Sequence, residues 1–177
     1  MTGARVVRVG VGATLAATGL GNVVVSCGLA GGLRAGIETG TLLIPRTLGM
    51  PDGTSRACDE ELVGALVAAA LAYGSTPLEA PLLCSSTLVR GAERARWAAA
   101  GYAGVDMESA RLQAPRLAAV RVVLDTPERE LSNAWLHPAT AFFKPAAWRE
   151  LPWLARTAPA CARLAAEIVA RAFPIAT

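Results

Sequence analysis

Histidine occurs once in this chain, at position 137, and aromatic residues make up only 5% of it. One imidazole and four cysteines that form no Cys-x-x-Cys pair (Cys27, Cys58, Cys84 and Cys161) give no metal-ligand pattern, so no metal site is expected. The wide cysteine spacing and apolar neighbours predict free, buried thiols in a reducing, cytoplasmic setting. Charge is scarce as well. Charged residues are 18% of the chain and the net charge of +3 is spread along it. With no Lys/Arg cluster interleaved with aromatics, nucleic-acid binding has no support.

What the chain has instead is apolar bulk, 53% of 177 residues, supplied mainly by Ala, Val and Leu and interspersed with Gly. That composition excludes disorder. It predicts one domain over residues 1–177, with elements buried on both faces and a core of small, close-packed side chains. Residues 9–33 run for 25 positions without a charge, which is long enough for a membrane span. The stretch Val24-Val25-Ser26-Cys27 within it also resembles a lipid-attachment site at the end of a signal peptide. Seven glycines and Asn22 in the run weaken any helix, so two short buried strands are expected and no integral membrane span.

Strands are expected at residues 5–9, 22–27, 40–44, 82–84, 102–107 and 117–124. Helices are expected at 13–17, from an Asp59 cap to about Tyr73, at 91–100, and from 148 to 173 with an interruption at Pro159. In the 91–100 helix, Glu93, Arg94 and Arg96 read as a solvated face. Gly28-Leu29-Ala30-Gly31-Gly32 reads as a glycine loop that lets a ligand or another strand come close. It offers neither charge nor hydroxyl, which does not suit a phosphate. Trp135, Phe142 and Phe143 lie in a loop-rich stretch with His137, as a pocket cover or as loop anchors.

Two acidic stretches are candidates for chemistry. In Val105-Asp106-Met107-Glu108-Ser109-Ala110, Glu108 falls where a strand gives way to a short helix, the place where open α/β sheets put their ligands. Taken on this stretch alone, it reads better as a solvated first-turn acid, favoured by the helix dipole. In the strand ending at Asp125, Arg121 interrupts an apolar run, and a buried arginine must find an anion. That anion is Asp106, Glu108 or Asp125, either as a structural ion pair or as a means of orienting one carboxylate while another does chemistry.

Four segments together resemble the purine nucleoside phosphorylase and methylthioadenosine/adenosylhomocysteine nucleosidase superfamily. They are Val9-Gly10-Val11-Gly12 with Ala16-Ala17, then Ser26 to Leu33 with Gly40-Thr41-Leu42-Leu43-Ile44, then Val105 to Ala110, and Arg121-Val122-Val123-Leu124-Asp125. Their order and spacing carry the likeness over nearly the whole chain. Within the superfamily, residues 25–33 and 121–131 are most similar to the hopanoid-associated phosphorylase group.

The resemblance implies a single three-layer α/β/α domain around a central mixed sheet, phosphorylase/hydrolase-like and lacking the usual first strand. It implies cleavage of the N-glycosidic bond of a purine nucleoside, by hydrolysis or phosphorolysis, on adenosylhopane in the hopanoid group. Glu108 would accept from ribose hydroxyls, Met107 would pack on the sugar, and Asp125 would meet N7 of the purine. Gly28, Ala30, Gly31, Leu88, Val89 and Arg121 would line the site. No cofactor is implied beyond inorganic phosphate as co-substrate of a phosphorylase, and the assembly implied is a homo-oligomer, a dimer. Bond cleavage builds positive charge on the ribose and negative charge on the base, so a carboxylate at the sugar and an acid at N7 suit it. An apolar pocket would help that acid keep its proton, and a nearby arginine would oppose it.

The chain departs from the family in three places. The strand and loop that normally precede the Val6 position, which supply the nucleophile-positioning half of the site, are expected to be missing. The hydroxyl residues usual near Leu29 and Leu124 are gone. A catalytically impaired nucleoside-binding relative is therefore the alternative.

Overall fold

The computed structural model describes residues 20–132 and 145–174. The elements expected at 5–9 and 13–17, together with Trp135, His137, Phe142 and Phe143, lie outside the described residues. Seven strands form one mixed sheet: β1 (Val23–Gly32), β2 (Leu42–Leu43), β3 (Thr47–Gly49), β4 (Ser55–Ala57), β5 (Leu82–Cys84), β6 (Gly104–Asp106) and β7 (Arg116–Asp125). Their order across the sheet is β2-β7-β1-β6-β5-β3-β4. Three helices accompany them: α1 (Glu60–Tyr73), α2 (Ala92–Ala99) and α3 (Pro145–Ala172). The expected α/β class with a mixed sheet is what the chain adopts.

β1 and β7 form the spine. They pair in parallel over nearly their whole lengths, and β7 is buried from Leu117 to Asp125, as the apolar residues on either side of Arg121 require. The glycines expected as a loop are instead the second half of β1. Gly31 and Gly32 pair antiparallel with Val105 and Gly104 of β6 while the other edge of β1 holds β7. Bonding on both edges outweighs the weak strand preference of glycine. The absent side chains leave room for those of β7. A methyl group on Gly28 would lie 3.6 Å from Arg121 Nη1, and one on Gly31 would lie 3.0 Å from Asp125 Oδ1.

The helices divide between two apolar clusters. The main one joins Leu62, Val63 and Leu66 of α1 and Cys161, Ala165 and Ile168 of α3 to Val120 and Val122 of β7. The smaller one holds Leu33, Leu83 and Val89, with Trp97 of α2 packed against it. α1 begins as expected, with the Asp59 side chain accepting from Leu62 N at 3.0 Å, and ends at Gly74 in the left-handed region, φ 87°.

α3 continues through Pro159, contrary to the expected interruption. Pro152 and Pro159 are two turns apart and both exposed, so water can meet the carbonyls their missing N–H groups leave open. Part of the uncharged run of residues 9–33 is β1 itself. Among the described residues no helix is long and apolar enough to cross a membrane.

Candidate active site

The two candidate acids reach their places by different routes. β7 is regular up to Val123, which pairs with Ala30, but Asp125 pairs with Gly31, so Leu124 is an extra residue on β7. In a regular strand Arg121 and Asp125, four residues apart, would share a face. The bulge reverses that. Arg121 lies over Gly28, and Asp125 turns to the other face, over Gly31 beside Val105.

Asp125 meets an arginine there, but not Arg121. Its Oδ2 is ion-paired with Arg94 Nη2 and accepts from Leu131 N at 3.4 Å. The described bonds to this carboxylate all fall on Oδ2, and Oδ1 lies against the notch at Gly31. Arg94 was expected on a solvated face, yet it is 2% exposed. Its Nη1 donates to Gly32 O at 2.6 Å and its Nε to Val89 O at 3.1 Å, and Glu130 Oε1 stands 3.2 Å from Nε. Glu130 Oε1 also accepts from Gly91 N at 2.7 Å, which fastens the start of α2 to the segment after β7. A signal for Arg94 was present in the sequence. Trp97 follows it by three residues, so the two share a helix face, and Trp97 is too large to leave in water.

Arg121 was expected among the residues lining the substrate site. It is instead fully engaged inside the protein. Nε donates to Asp106 Oδ2 at 2.8 Å, Nη1 to Ser26 O and Val120 O at 2.8 and 2.9 Å, and Nη2 to Ser26 Oγ and Ser109 Oγ at 2.7 Å each. The anion it required is thus Asp106, the structural alternative among those weighed. Ser26 and Ser109 complete the set. Nothing in the sequence marked them, because their roles depend on a strand register that the sequence does not state.

Strand β6 ends at Asp106, two residues short of Glu108, and the expected short helix is a single 3-10 turn, Ser109–Arg111. Glu108 precedes that turn at φ −125°, ψ −41°, half-buried like Met107. β1 lies between β7, which ends at Asp125, and β6, which leads to Glu108. β6 runs against β1 whereas β7 runs with it, so the two carboxyl ends point opposite ways along the sheet. Gly31 is the residue of β1 that pairs with both strands, with Val105 on one edge and Asp125 on the other. Ala30 and Val89 are buried, Val89 within the smaller cluster, and Leu88 is half-buried. Among the described residues no group of three or more His, Cys, Asp or Glu side chains is placed to hold a metal ion.

No family model and no curated protein sequence matches this chain. Its three-dimensional structure does have counterparts. It superposes on the 5′-methylthioadenosine/S-adenosylhomocysteine nucleosidase of Helicobacter pylori with a TM-score of 0.62 and 14% identity, over 85% of this chain and 67% of that one. This is the nucleosidase fold. The enzyme of the same name from Neisseria meningitidis, in complex with methylthio-immucillin-A, gives 0.60 and 20% identity over 85% and 68% of the two chains. The futalosine hydrolase of Helicobacter pylori gives 0.60 and 13% over 85% and 67%.

Proposed function

We propose that this chain cleaves the N-glycosidic bond of a purine nucleoside. The supporting observation is the setting of Asp125. It is buried at the bulged end of a central strand, with Oδ2 held by Arg94 and Oδ1 against the space beside Gly31, in a sheet built like that of the nucleosidases. In this reading Oδ1 meets N7 of the leaving base. Glu108 accepts from the ribose hydroxyls and offsets the positive charge that grows on the sugar. Met107 packs on the ribose, and Ala30, Gly31, Leu88 and Val89 lie around the base and sugar. Water is the expected nucleophile, because the β1 glycine segment brings no charge or hydroxyl for a phosphate. The finer proposal is adenosylhopane as substrate, with a homodimer as the working assembly.

The ion pair with Arg94 favours a second reading. Arg94 and the Leu131 N–H hold Oδ2 with the protein's own donors, an arrangement that serves to fix a ligand's base in place and suits a nucleoside-binding protein without turnover.

One experiment separates the two. The chain is incubated with adenosine and with 5′-methylthioadenosine, and adenine release is followed with and without phosphate. Release in both conditions establishes hydrolysis, and release only with phosphate establishes phosphorolysis. Nucleoside binding without release establishes the second reading, and neither binding nor release removes both. If the enzyme reading holds, Glu108→Gln lowers kcat/KM by about a hundredfold.

A further inference from the structure

We infer that Arg121, with Asp106, Ser109 and Ser26, is a clamp that fixes the Met107–Glu108 dipeptide, so that Arg121 is a positioning residue for the sugar and not a contact to it. The inference rests on the proposed reading of Glu108 as the acceptor for ribose hydroxyls.

Three observations carry it. An arginine has five N–H donors, and all five of Arg121 are already used within the protein, by Asp106, Ser26, Val120 and Ser109. None is left for a ligand. The second is connectivity. Asp106 and Ser109 stand immediately before and after Met107–Glu108, and both are bonded to the same guanidinium. They are also bonded to each other, Ser109 N donating to Asp106 Oδ2 at 3.2 Å and Ser109 Oγ donating to the same oxygen. A two-residue span closed at both ends on one cation has little freedom, and the dipeptide it presents is half-buried while the clamp is not exposed. Arg121 is 2% exposed, Asp106 3%, Ser109 0% and Ser26 7%.

The third is energetic. A buried ion pair does not stabilise a core better than apolar residues of the same volume. This one joins Arg121 of β7 to Asp106 at the end of β6, across β1, and most of the other buried side chains of β7 are apolar. A charged network there is best explained by the geometry it imposes on the segment it closes. The guanidinium lies over Gly28, with Nη1 3.6 Å from where a methyl group would be.

The test compares the parent chain with Ser109→Ala, Ser26→Ala and Arg121→Lys, using adenosine and 2′-deoxyadenosine as paired substrates. A clamp acting through Glu108 matters most when there is a 2′-hydroxyl to hold. Ser109→Ala should lower kcat/KM for adenosine about tenfold and for 2′-deoxyadenosine by less than about twofold. Amide hydrogen exchange should quicken at residues 107–111 while β7 keeps its protection. Arg121→Lys, with three donors in place of a planar fork, should lose more of the discrimination. If it does not fold, the two serine variants carry the test. Equal losses on both substrates, or unchanged rates and unchanged exchange, overturn the clamp. Failure of the underlying reading shows separately, as Glu108→Gln without effect on either substrate or a parent chain that releases no adenine. In that case exchange alone decides: faster exchange confined to 107–111 supports the clamp, and unaltered protection removes it.

Discussion

Gly28, Gly31 and Gly49 each lack a side chain for a different reason, and alanine at each should report it. A methyl on Gly28 meets Arg121 at 3.6 Å or more, which is ordinary contact, and the smaller freedom of the unfolded chain offsets what little is lost. Gly28→Ala should stay within about 0.5 kcal/mol of the parent. A methyl on Gly31 would stand 3.0 Å from Asp125 Oδ1 and 3.4 Å from Arg94 Nη2, so the carboxylate must move against its ion pair. About 1–2 kcal/mol is the expected cost. Gly49 is overlain by Tyr102, whose ring carbons would be 2.7 Å from the methyl, and Trp97 holds that ring edge-on at a centroid distance of 5.7 Å. The loss there should reach about 3 kcal/mol. Urea midpoints should fall in the order Gly28→Ala, Gly31→Ala, Gly49→Ala, and Gly31→Ala at parental stability would remove the packing assigned to Asp125. The same scale shows what a sequence can tell about a site. That Arg121 needed a buried anion was legible, because an unpaired arginine in an apolar strand is not sustainable. That Asp125 would turn away from it was not, because the bulge at Leu124 has no residue that marks it. Arg94 departs from expectation for a simpler reason. A charged residue on a short helix is ordinarily in water, and only its spacing from Trp97 said otherwise.

Among the elements, those fixed by local chemistry were legible and those fixed by pairing were not. α1 follows from its cap and apolar spacing, and β7 from its apolar run. β1 could not be read to its end, because its glycines are strand only by virtue of the neighbours on both edges. Asp59 links the legible pair. Its carboxylate caps α1 and accepts from Arg116 Nε at 2.7 Å and Nη2 at 3.0 Å, and its own N–H donates to Leu117 O at 2.8 Å. The Arg116 bonds first, and then the Leu62 amide, hold its pKa at about 2, below the ordinary 3.8. A folded value below the unfolded one stabilises the fold above the unfolded value, and that stabilisation disappears as pH falls through the folded one. Asp59→Asn keeps a cap oxygen and removes the charge. Its melting temperature should lie below the parent's at neutral pH, and the gap should close between pH 3.8 and about 2. A gap that persists unchanged at the acid end would mean that the carboxylate charge contributes nothing.

At the scale of the whole molecule, the cysteines report whether the sheet and its helices unfold as one body. Cys58 follows β4, Cys84 ends β5 and Cys161 lies on α3, and all three are buried, while Cys27 on β1 is exposed, contrary to the expectation of four buried thiols. Burial pushes the Cys58 and Cys84 thiols up to about 11 from the ordinary 9.0. Only the thiolate attacks a disulfide reagent, so near neutral pH these two are protected both by access and by protonation. The sign for stability follows, because burial favours the neutral thiol. The contribution is complete below 9.0 and is lost as pH rises through 11. Cys161 Sγ adds a contact from α3 to the spine, donating to Val123 O at 3.8 Å. Partial burial raises the Cys27 thiol as well, but its exposure lets a reagent reach it, so in the native chain it should react before the others. The other three should become reactive together at the urea midpoint found by circular dichroism. α3 and α1 share the main cluster with β7, so neither has a core of its own to retain once the sheet opens. If Cys161 reacts at lower urea than Cys58 and Cys84, α3 leaves the sheet before it unfolds, and the cluster is not the single cooperative unit that its packing implies.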